Sequence, residues 1–160
     1  MTRNFLSRQR GITMVESLVA LVVLAVGLLG IASLYVTSLQ TGRTALIRTQ
    51  AVNLVSDMGD RIRANGRAGD AYDTDTYGGA PEAQDCVVTA NCTAATLAED
   101  DLARWIEAVE TTLPRPVATV TFIPAAAAGR PDQYQINVQW QETTEQFNYQ
   151  ASTFLIPVQP

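Results

Sequence analysis

An uncharged run from residue 17 to residue 42 follows directly on the acidic residue Glu16. Between residues 18 and 36 this run is almost wholly apolar. A helix of about 20 apolar residues is long enough to cross the roughly 30 Å hydrocarbon core of a bilayer. A charged side chain at mid-bilayer costs roughly 2.5–3.5 kcal/mol on insertion scales. The sequence therefore predicts a membrane-spanning helix, and it predicts a functional role and a charged partner for the carboxylate at its start.

The charge of the chain is unevenly distributed along it. The first eleven residues carry three cations and no acid, so the rest is more acidic than the net charge of −5 indicates. The positive-inside rule predicts that these cations stay in the cytoplasm and that the acidic body is exported. An acidic body argues against a nucleic-acid partner. The three basic residues are Arg3, Arg8 and Arg10.

Two ordinary explanations of the amino-terminal segment are incomplete. A secretory signal peptide has an apolar stretch of about 7–15 residues followed by a small-residue cleavage site. The uncharged run is longer than that, and no Ala-x-Ala site follows it. A plain membrane anchor fits the length and the orientation, but it gives Glu16 no role.

The residues around Glu16 offer a third explanation. Arg8-Gln9-Arg10-Gly11, followed by Ile12-Thr13-Met14-Val15-Glu16, resembles the leader of the type IV prepilins. That family has a short basic leader ending in Gly, then an apolar residue (most often Phe, here Ile12), Thr or Ser, two apolar residues and Glu. The resemblance implies cleavage after Gly11 by a prepilin peptidase and N-methylation of Ile12.

The resemblance also implies a partner for Glu16. Cleavage creates an α-amino group at Ile12, which is mostly protonated at neutral pH because its pKa is near 8. Glu16, four residues further on, would pair with this ammonium in its own chain or in a neighbouring subunit. In the apolar core of a filament a compensated pair is tolerated and an unpaired charge is not. Alternatively, the carboxylate of Glu16 reaches the lipid headgroups.

One long helix is predicted from Ile12 to about Ala64, and no proline occurs before residue 81. The predicted organisation is a cleaved leader (1–11), a transmembrane and filament-core helix (12–36), an amphipathic continuation of that helix (37–64) and a periplasmic globular head (65–160). The continuation has one apolar stripe at helical spacing, which we interpret as the face that packs on the head. The stripe consists of Ile47, Ala51, Leu54, Val55, Met58 and Ile62.

A loop rich in small and polar residues is predicted from residue 65 to residue 95. It contains Cys86 and Cys92, the only cysteines. Export would place them in an oxidising compartment, so we predict a disulfide. Their spacing is not that of a Cys-x-x-Cys redox motif, and a zinc site would need further ligands. The loop also contains four aspartates, which suggest a calcium site but do not have EF-hand spacing. We interpret them as a solvated acidic loop, with calcium binding as the alternative: Asp70, Asp73, Asp75 and Asp85.

The remaining sequence predicts a second helix and an antiparallel sheet. A capping box, Thr96-Leu-Ala-Glu99, begins a helix that extends to about Leu113. Three strands follow: 117–123, one from Tyr134 to Trp140 with strict apolar alternation, and one from Phe147 to about Ile156. A turn at 141–145 makes the last two strands a hairpin. The apolar face of the helix is predicted to contain Leu102, Trp105, Ile106, Val109 and Leu113.

These elements predict an α+β fold of the type IV pilin kind: a long amino-terminal helix, a loop, a second helix and a three- to four-stranded antiparallel sheet. Ala25-Val26-Gly27-Leu28-Leu29-Gly30 resembles minor pilins of the PilV type, and so, less specifically, does the order of aromatic and proline residues in the head. Many major pilins have a proline in the apolar segment, which this chain does not have.

The resemblance implies a structural subunit that helps to start pilus assembly and supports twitching motility or adhesion. Its implied partners are other minor and major pilins, the prepilin peptidase, the inner-membrane assembly platform and, before assembly, the lipid bilayer. A minor pseudopilin of a type II secretion system is the alternative, and a membrane-anchored binding module would leave Glu16 dispensable. We expect the chain to have no enzymatic activity and to bind no metal or cofactor, because it has no histidine and no catalytic or metal-binding motif.

Overall fold

The computed structural model describes residues 13–88, 91–126, 130–141 and 148–155. Its helices are α1 (Met14–Ala64) and α2 (Ala94–Thr112), and its strands are β1 (Val117–Ile123), β2 (Gln133–Gln141) and β3 (Asn148–Leu155). Two short 3-10 helices, Gly69–Tyr72 and Thr74–Tyr77, lie between α1 and α2. The predicted α+β fold is confirmed. The described residues divide into two units, one ending at Arg43 and one beginning at Thr44.

The apolar stripe predicted on the later part of α1 forms one side of the core. Ala51, Met58 and Ile62 are completely buried and Val55 is almost so, while Ile47 and Leu54 are partly buried against the same cluster. These positions recur every three or four residues, so they lie on one face of a helix with 3.6 residues per turn. The predicted docking face is therefore confirmed.

Helix α2 begins earlier than predicted, and the predicted capping box is wrong. The N-cap is Thr93, whose backbone is extended (φ −72°, ψ 166°) and whose Oγ1 accepts the N–H of Thr96 at 3.1 Å. A Thr in this conformation satisfies one of the unpaired N–H groups of the first turn. Glu99 does not reach back to the cap. Its carboxylate accepts the backbone N–H of Glu82 at 3.4 Å and the side-chain amide of Gln84 at 3.1 Å.

The predicted apolar face of α2 is confirmed. Leu102, Trp105 and Val109 are completely buried, Leu113 is nearly so, and Ile106 packs on the same cluster with partial exposure. The indole N–H of Trp105 donates to the backbone carbonyl of Leu54 at 2.8 Å. A large aromatic ring and a hydrogen bond therefore join α2 to the later part of α1.

The sheet is antiparallel with the order β1-β2-β3. Alternate residues of β2 face the core, as predicted, because successive side chains of a strand point to opposite faces. The buried residues of this strand are Tyr134, Ile136, Val138 and Trp140. The third strand runs from Asn148 to Leu155, close to its predicted bounds. Residues 142–147 of the predicted hairpin turn lie outside the described residues.

The segment between α1 and α2 packs on the head with its own side chains. Tyr72 and Ala68 are buried, and the two rings of Tyr72 and Tyr134 meet edge to face with centroids 6.2 Å apart. The hydroxyl of Tyr134 donates to the carbonyl of Gly69 at 2.8 Å. Gly69 has a positive φ of 56°, a conformation that glycine adopts at little steric cost. This segment, predicted as a loop, therefore contributes to the core.

Candidate assembly segment and contacts of the head

The first turn of α1 contains the carboxylate that the sequence singled out. Glu16 is the third residue of the helix and is exposed to solvent. Its backbone N–H lies 3.4 Å from Oγ1 and 3.1 Å from the carbonyl oxygen of Thr13, and the N–H of Ser17 donates to that carbonyl at 3.2 Å. An acidic side chain in the first turn interacts favourably with the positive end of the helix dipole. Glu16 is thus held beside the amino terminus of the helix.

Thr13 is part of the predicted leader motif, but sequence reasoning missed its role as a helix cap. It precedes the first helical residue, and its hydroxyl accepts the N–H of Glu16, so it serves as the N-cap of α1. The signal was present, since Thr13 and Glu16 have the spacing of a capping box directly before an apolar run. The cap fixes where the helix begins and therefore where the carboxylate lies.

The apolar segment of α1 exposes its side chains in every direction. Between Leu18 and Leu39, every large apolar side chain is more than half accessible to solvent, and the exposed fraction of Leu34 reaches 72 %. A helix that is apolar all round requires an apolar environment, either lipid or other helices. By length and composition, α1 is able to cross a membrane.

Hydroxyl groups at the end of the apolar segment form hydrogen bonds within the helix. Thr37 Oγ1 donates to the carbonyl of Ser33 at 3.1 Å, and Thr41 Oγ1 donates to the carbonyl of Thr37 at 2.9 Å. Such bonds to the residue four positions earlier satisfy a hydroxyl without water. These threonines are therefore compatible with an apolar environment.

The predicted processing site lies outside the described residues. Gly11 and Ile12 precede Thr13, the first described residue, as do the leader cations Arg3, Arg8 and Arg10. Cleavage, N-methylation and the pairing of Glu16 with the new amino terminus therefore stay predictions. What the structure supplies is the capped helix start that places Glu16 in the first turn.

The predicted disulfide between Cys86 and Cys92 is present. Next to it, the backbone N–H groups of Gln84 and Asp85 both donate to Asp100 Oδ1, at 2.9 and 3.1 Å. Arg104 donates to Asp100 Oδ2 at 2.9 Å and also pairs with Asp85 at 3.3 Å. The disulfide loop is therefore joined to α2 by a buried carboxylate that sequence reasoning did not single out.

Asp100 gives this attachment a dependence on pH. Burial alone would raise the pKa of its carboxyl, but the hydrogen bond from Arg104 and those from the two backbone N–H groups outweigh it, so the pKa lies below its usual value. A lowered pKa contributes stability above the pKa of the unfolded chain, about 3.9, and this contribution is lost as the pH falls through the folded pKa. Acid should therefore release the loop.

We expect the hydrogen-exchange protection factors of residues 82–88 to fall below about pH 4, because protonation of Asp100 weakens its three hydrogen bonds. At pH 7, Asp100→Asn should destabilise the head by about 2 kcal/mol, since hydrogen bonds to a charged group contribute about 1.5–3 kcal/mol. The exposed Glu107→Gln on the same helix is the control and should change neither quantity. Protection factors in this loop that do not change between pH 7 and pH 3 would contradict the assigned role.

A second network, also missed from the sequence, centres on Tyr72. Its hydroxyl donates to Asp101 Oδ2 at 2.7 Å, and Arg61 donates to Asp101 Oδ1 at 3.1 Å. Burial, together with the hydrogen bond to Asp101, raises the pKa of the Tyr72 phenol, so it stays a proton donor at physiological pH. Asn65 adds a bond from its amide to the carbonyl of Ala94 at 2.8 Å. These bonds hold the segment after α1 against α2.

The four loop aspartates do not share one role. Asp85 pairs with Arg104, and Asp73 accepts the backbone N–H of Phe122 in β1 at 2.8 Å. The interpretation of a solvated loop is therefore wrong for Asp73. In the part of the chain that the structure describes, no three His, Cys, Asp or Glu side chains are grouped as a metal site would require.

Two family models match the chain. The model described as "Prokaryotic N-terminal methylation motif" matches residues 6–32, which include Gly11, Ile12, Glu16 and much of the apolar segment. The model described as "Type IV pilin Tt1218" matches residues 33–103, which include the rest of α1 and the first half of α2. No curated protein and no solved structure matched the chain.

Proposed function

The chain is a type IV prepilin-like protein, and we propose that it is a minor pilin, a structural subunit that helps to start assembly of a type IV pilus. The observation that carries the proposal is the apolar part of α1, exposed in every direction and preceded by a capped carboxylate within the matched methylation motif. The choice of a minor pilin follows from the resemblance of 25–30 to the PilV type and from the absence of a proline in the apolar segment.

In the proposed pathway the precursor is inserted with residues 1–11 in the cytoplasm. Arg3, Arg8 and Arg10 favour this orientation, because cationic segments stay on the cytoplasmic side. Residues 12–36 then cross the inner membrane, residues 37–64 continue the helix, and residues 65–160 form the periplasmic head. The disulfide supports this orientation, since disulfides persist in oxidising compartments such as the periplasm.

Processing by the prepilin peptidase then prepares the subunit for assembly. Cleavage after Gly11 removes the leader cations and leaves Ile12, N-methylated, as the new terminus. The apolar segment stays in the mature protein because it follows the cleavage site. The terminal ammonium and the Glu16 carboxylate are then the two charges at this end of the helix.

Glu16 is proposed to neutralise the terminal ammonium of a neighbouring subunit during assembly. Its position in the first turn is set by the Thr13 cap. Once α1 moves from the bilayer into the helical core of the filament, an unpaired charge there is costly and a pair is tolerated. The pairing would therefore select the axial position at which an incoming subunit is stable. The other implied partners are major and minor pilins and the inner-membrane assembly platform.

The test of processing is the mass of the membrane form. We expect the mature chain to begin at Ile12 and to carry one added methyl group, measured by intact-mass and amino-terminal peptide mass spectrometry. Cells without the prepilin peptidase are the control and should contain the full-length chain. A full-length chain in peptidase-containing cells contradicts the proposal.

Co-purification tests the assignment to a pilus. A processed minor pilin should co-purify with sheared pili and with other pilin subunits. Co-purification with components of a type II secretion system instead would replace the minor pilin by the pseudopilin alternative, while leaving the prepilin character intact.

A further inference from the structure

Strand β1 has the sequence of a strand that would associate with other chains. It lies at one edge of the described sheet, with β2 on one side. Its 7 residues, Val-Ala-Thr-Val-Thr-Phe-Ile, are mostly β-branched and include no charge, proline or glycine. Such segments form intermolecular sheets readily when their backbone is exposed, and natural proteins protect their edge strands against this.

The outer edge of β1 is occupied by the side chains of Asp73 and Thr74, the N-cap and the first residue of the 3-10 helix Thr74–Tyr77. Phe122 donates its backbone N–H to Asp73 Oδ2 at 2.8 Å. Val120 donates its N–H to Thr74 Oγ1 at 3.4 Å, and the same hydroxyl donates to the carbonyl of Val120 at 3.1 Å. In an antiparallel ladder, residues two apart direct their backbone groups to the same side, so these bonds lie on the side away from β2.

The two side chains reproduce the bonding of a neighbouring strand. The Thr74 hydroxyl both accepts from and donates to Val120, as the N–H and C=O of an opposing residue would. The Asp73 carboxylate supplies the acceptor for the next outward N–H, that of Phe122. Two consecutive residues of the loop thus satisfy three backbone groups of β1 without forming a strand.

The loop holds Asp73 and Thr74 in place through local bonds. Asp73 is the N-cap of the 3-10 helix Thr74–Tyr77, and its Oδ1 accepts the N–H of Asp75 at 2.9 Å. The carbonyl of Asp73 also accepts the N–H of Thr76 at 3.2 Å. One carboxylate therefore caps its own helix with one oxygen and binds β1 with the other.

We propose that the side chains of Asp73 and Thr74 take the place of a neighbouring strand and close the edge of β1. Once their hydrogen-bonding groups are removed, a second copy of this chain pairs with β1. The occupant is a second copy because the exposed segment would be identical in both molecules, and an uncharged β-branched strand pairs with itself without charge repulsion. The proposal does not depend on the minor pilin assignment. It concerns only how two copies of the head are kept from pairing through β1.

The test uses the full chain in detergent micelles. Thr74→Val preserves the shape of the side chain but removes both of its hydrogen bonds, and Asp73→Ala removes the acceptor for Phe122. In the double variant at low concentration, where the chain is monomeric, we expect hydrogen exchange of the Val120 and Phe122 amides to rise about tenfold or more. At higher concentration we expect sedimentation to show a dimer.

Two variants serve as matched controls. Thr74→Ser keeps the hydroxyl and should behave as the unaltered chain. Asp75→Ala removes a neighbouring carboxylate but keeps the backbone N–H that Asp73 binds, and it should also leave exchange and association unchanged.

Three results would overturn the proposal. Unchanged exchange in the Thr74→Val and double variants would show that the edge is not closed by these side chains. Faster exchange without dimer formation would show that opening the edge is not sufficient for two β1 strands to pair. Equal dimer formation by Asp75→Ala would assign the effect to loop charge instead.

Discussion

Replacing Glu16 by Ala should leave the leader cleaved after Gly11 and nearly abolish incorporation of the mature chain into fibres. The substitution removes the carboxylate that is proposed to neutralise a neighbouring terminal ammonium. Breaking a buried ion pair by deleting one partner costs about 3–5 kcal/mol, which corresponds to a loss of at least about 100-fold in incorporation. The measurement is the ratio of this chain in sheared fibres to the chain in membranes, by quantitative immunoblot.

Three further variants separate charge from local helix structure. Glu16→Gln keeps the shape and removes the charge, so it should fail like Glu16→Ala, whereas Glu16→Asp keeps the charge and should retain much of the incorporation. Thr13→Ala removes the observed cap but leaves the carboxylate, so it should cost only about 1 kcal/mol of helix stability. Normal incorporation of Glu16→Gln would refute the pairing role, and failure of cleavage would locate the defect in recognition by the peptidase.

The periodic parts of the fold were readable from the sequence because periodicity reports which face of an element is buried. The α1 stripe around Met58, the α2 face around Trp105 and the alternation of β2 all follow from this one physical rule. The predicted start of α2 was wrong because both Thr93 and Thr96 are residues that can serve as an N-cap, and the choice between them depends on backbone dihedral angles. Local sequence does not determine those dihedrals.

The contacts that sequence reasoning missed join residues far apart in the chain. Tyr72 binds Asp101, and Asp73 and Thr74 bind β1, across sequence separations of 29, 49 and 46 residues. No local pattern marks such partners, because the sequence around a Tyr or an Asp in a polar loop is the same whether its side chain is solvated or binds a distant residue. Glu16, in contrast, was found because a charge beside an apolar run is anomalous by itself. Its cap, Thr13, was missed although the spacing was visible.

Replacing Trp105 by Ala should cause the largest loss of stability in the head. The ring is completely buried, and its N–H bonds the carbonyl of Leu54. Removing a buried Trp side chain costs about 3–5 kcal/mol, because apolar contacts are lost and a cavity remains. That is a large share of the 5–15 kcal/mol that typically stabilises a protein. Chemical denaturation of the full chain in detergent, followed by the fluorescence of Trp140, measures the loss.

Two substitutions divide the Trp105 effect into its parts. Trp105→Phe keeps most of the apolar volume and removes the hydrogen bond, so it should cost clearly less stability than Trp105→Ala. Loss of that hydrogen bond should cost little, because the carbonyl of Leu54 lies in a helix and its other lone pair still accepts the helical hydrogen bond. Val117→Ala is the surface control, since Val117 is 58 % exposed, and it should stay within about 0.5 kcal/mol of the unaltered chain. If Trp105→Ala were no more damaging than Val117→Ala, the packing of α2 on the later part of α1 would not be what stabilises the head.

Because incorporation through Glu16 and folding through Trp105 involve separate residues, Trp105→Ala should still be processed after Gly11, while its head becomes sensitive to protease.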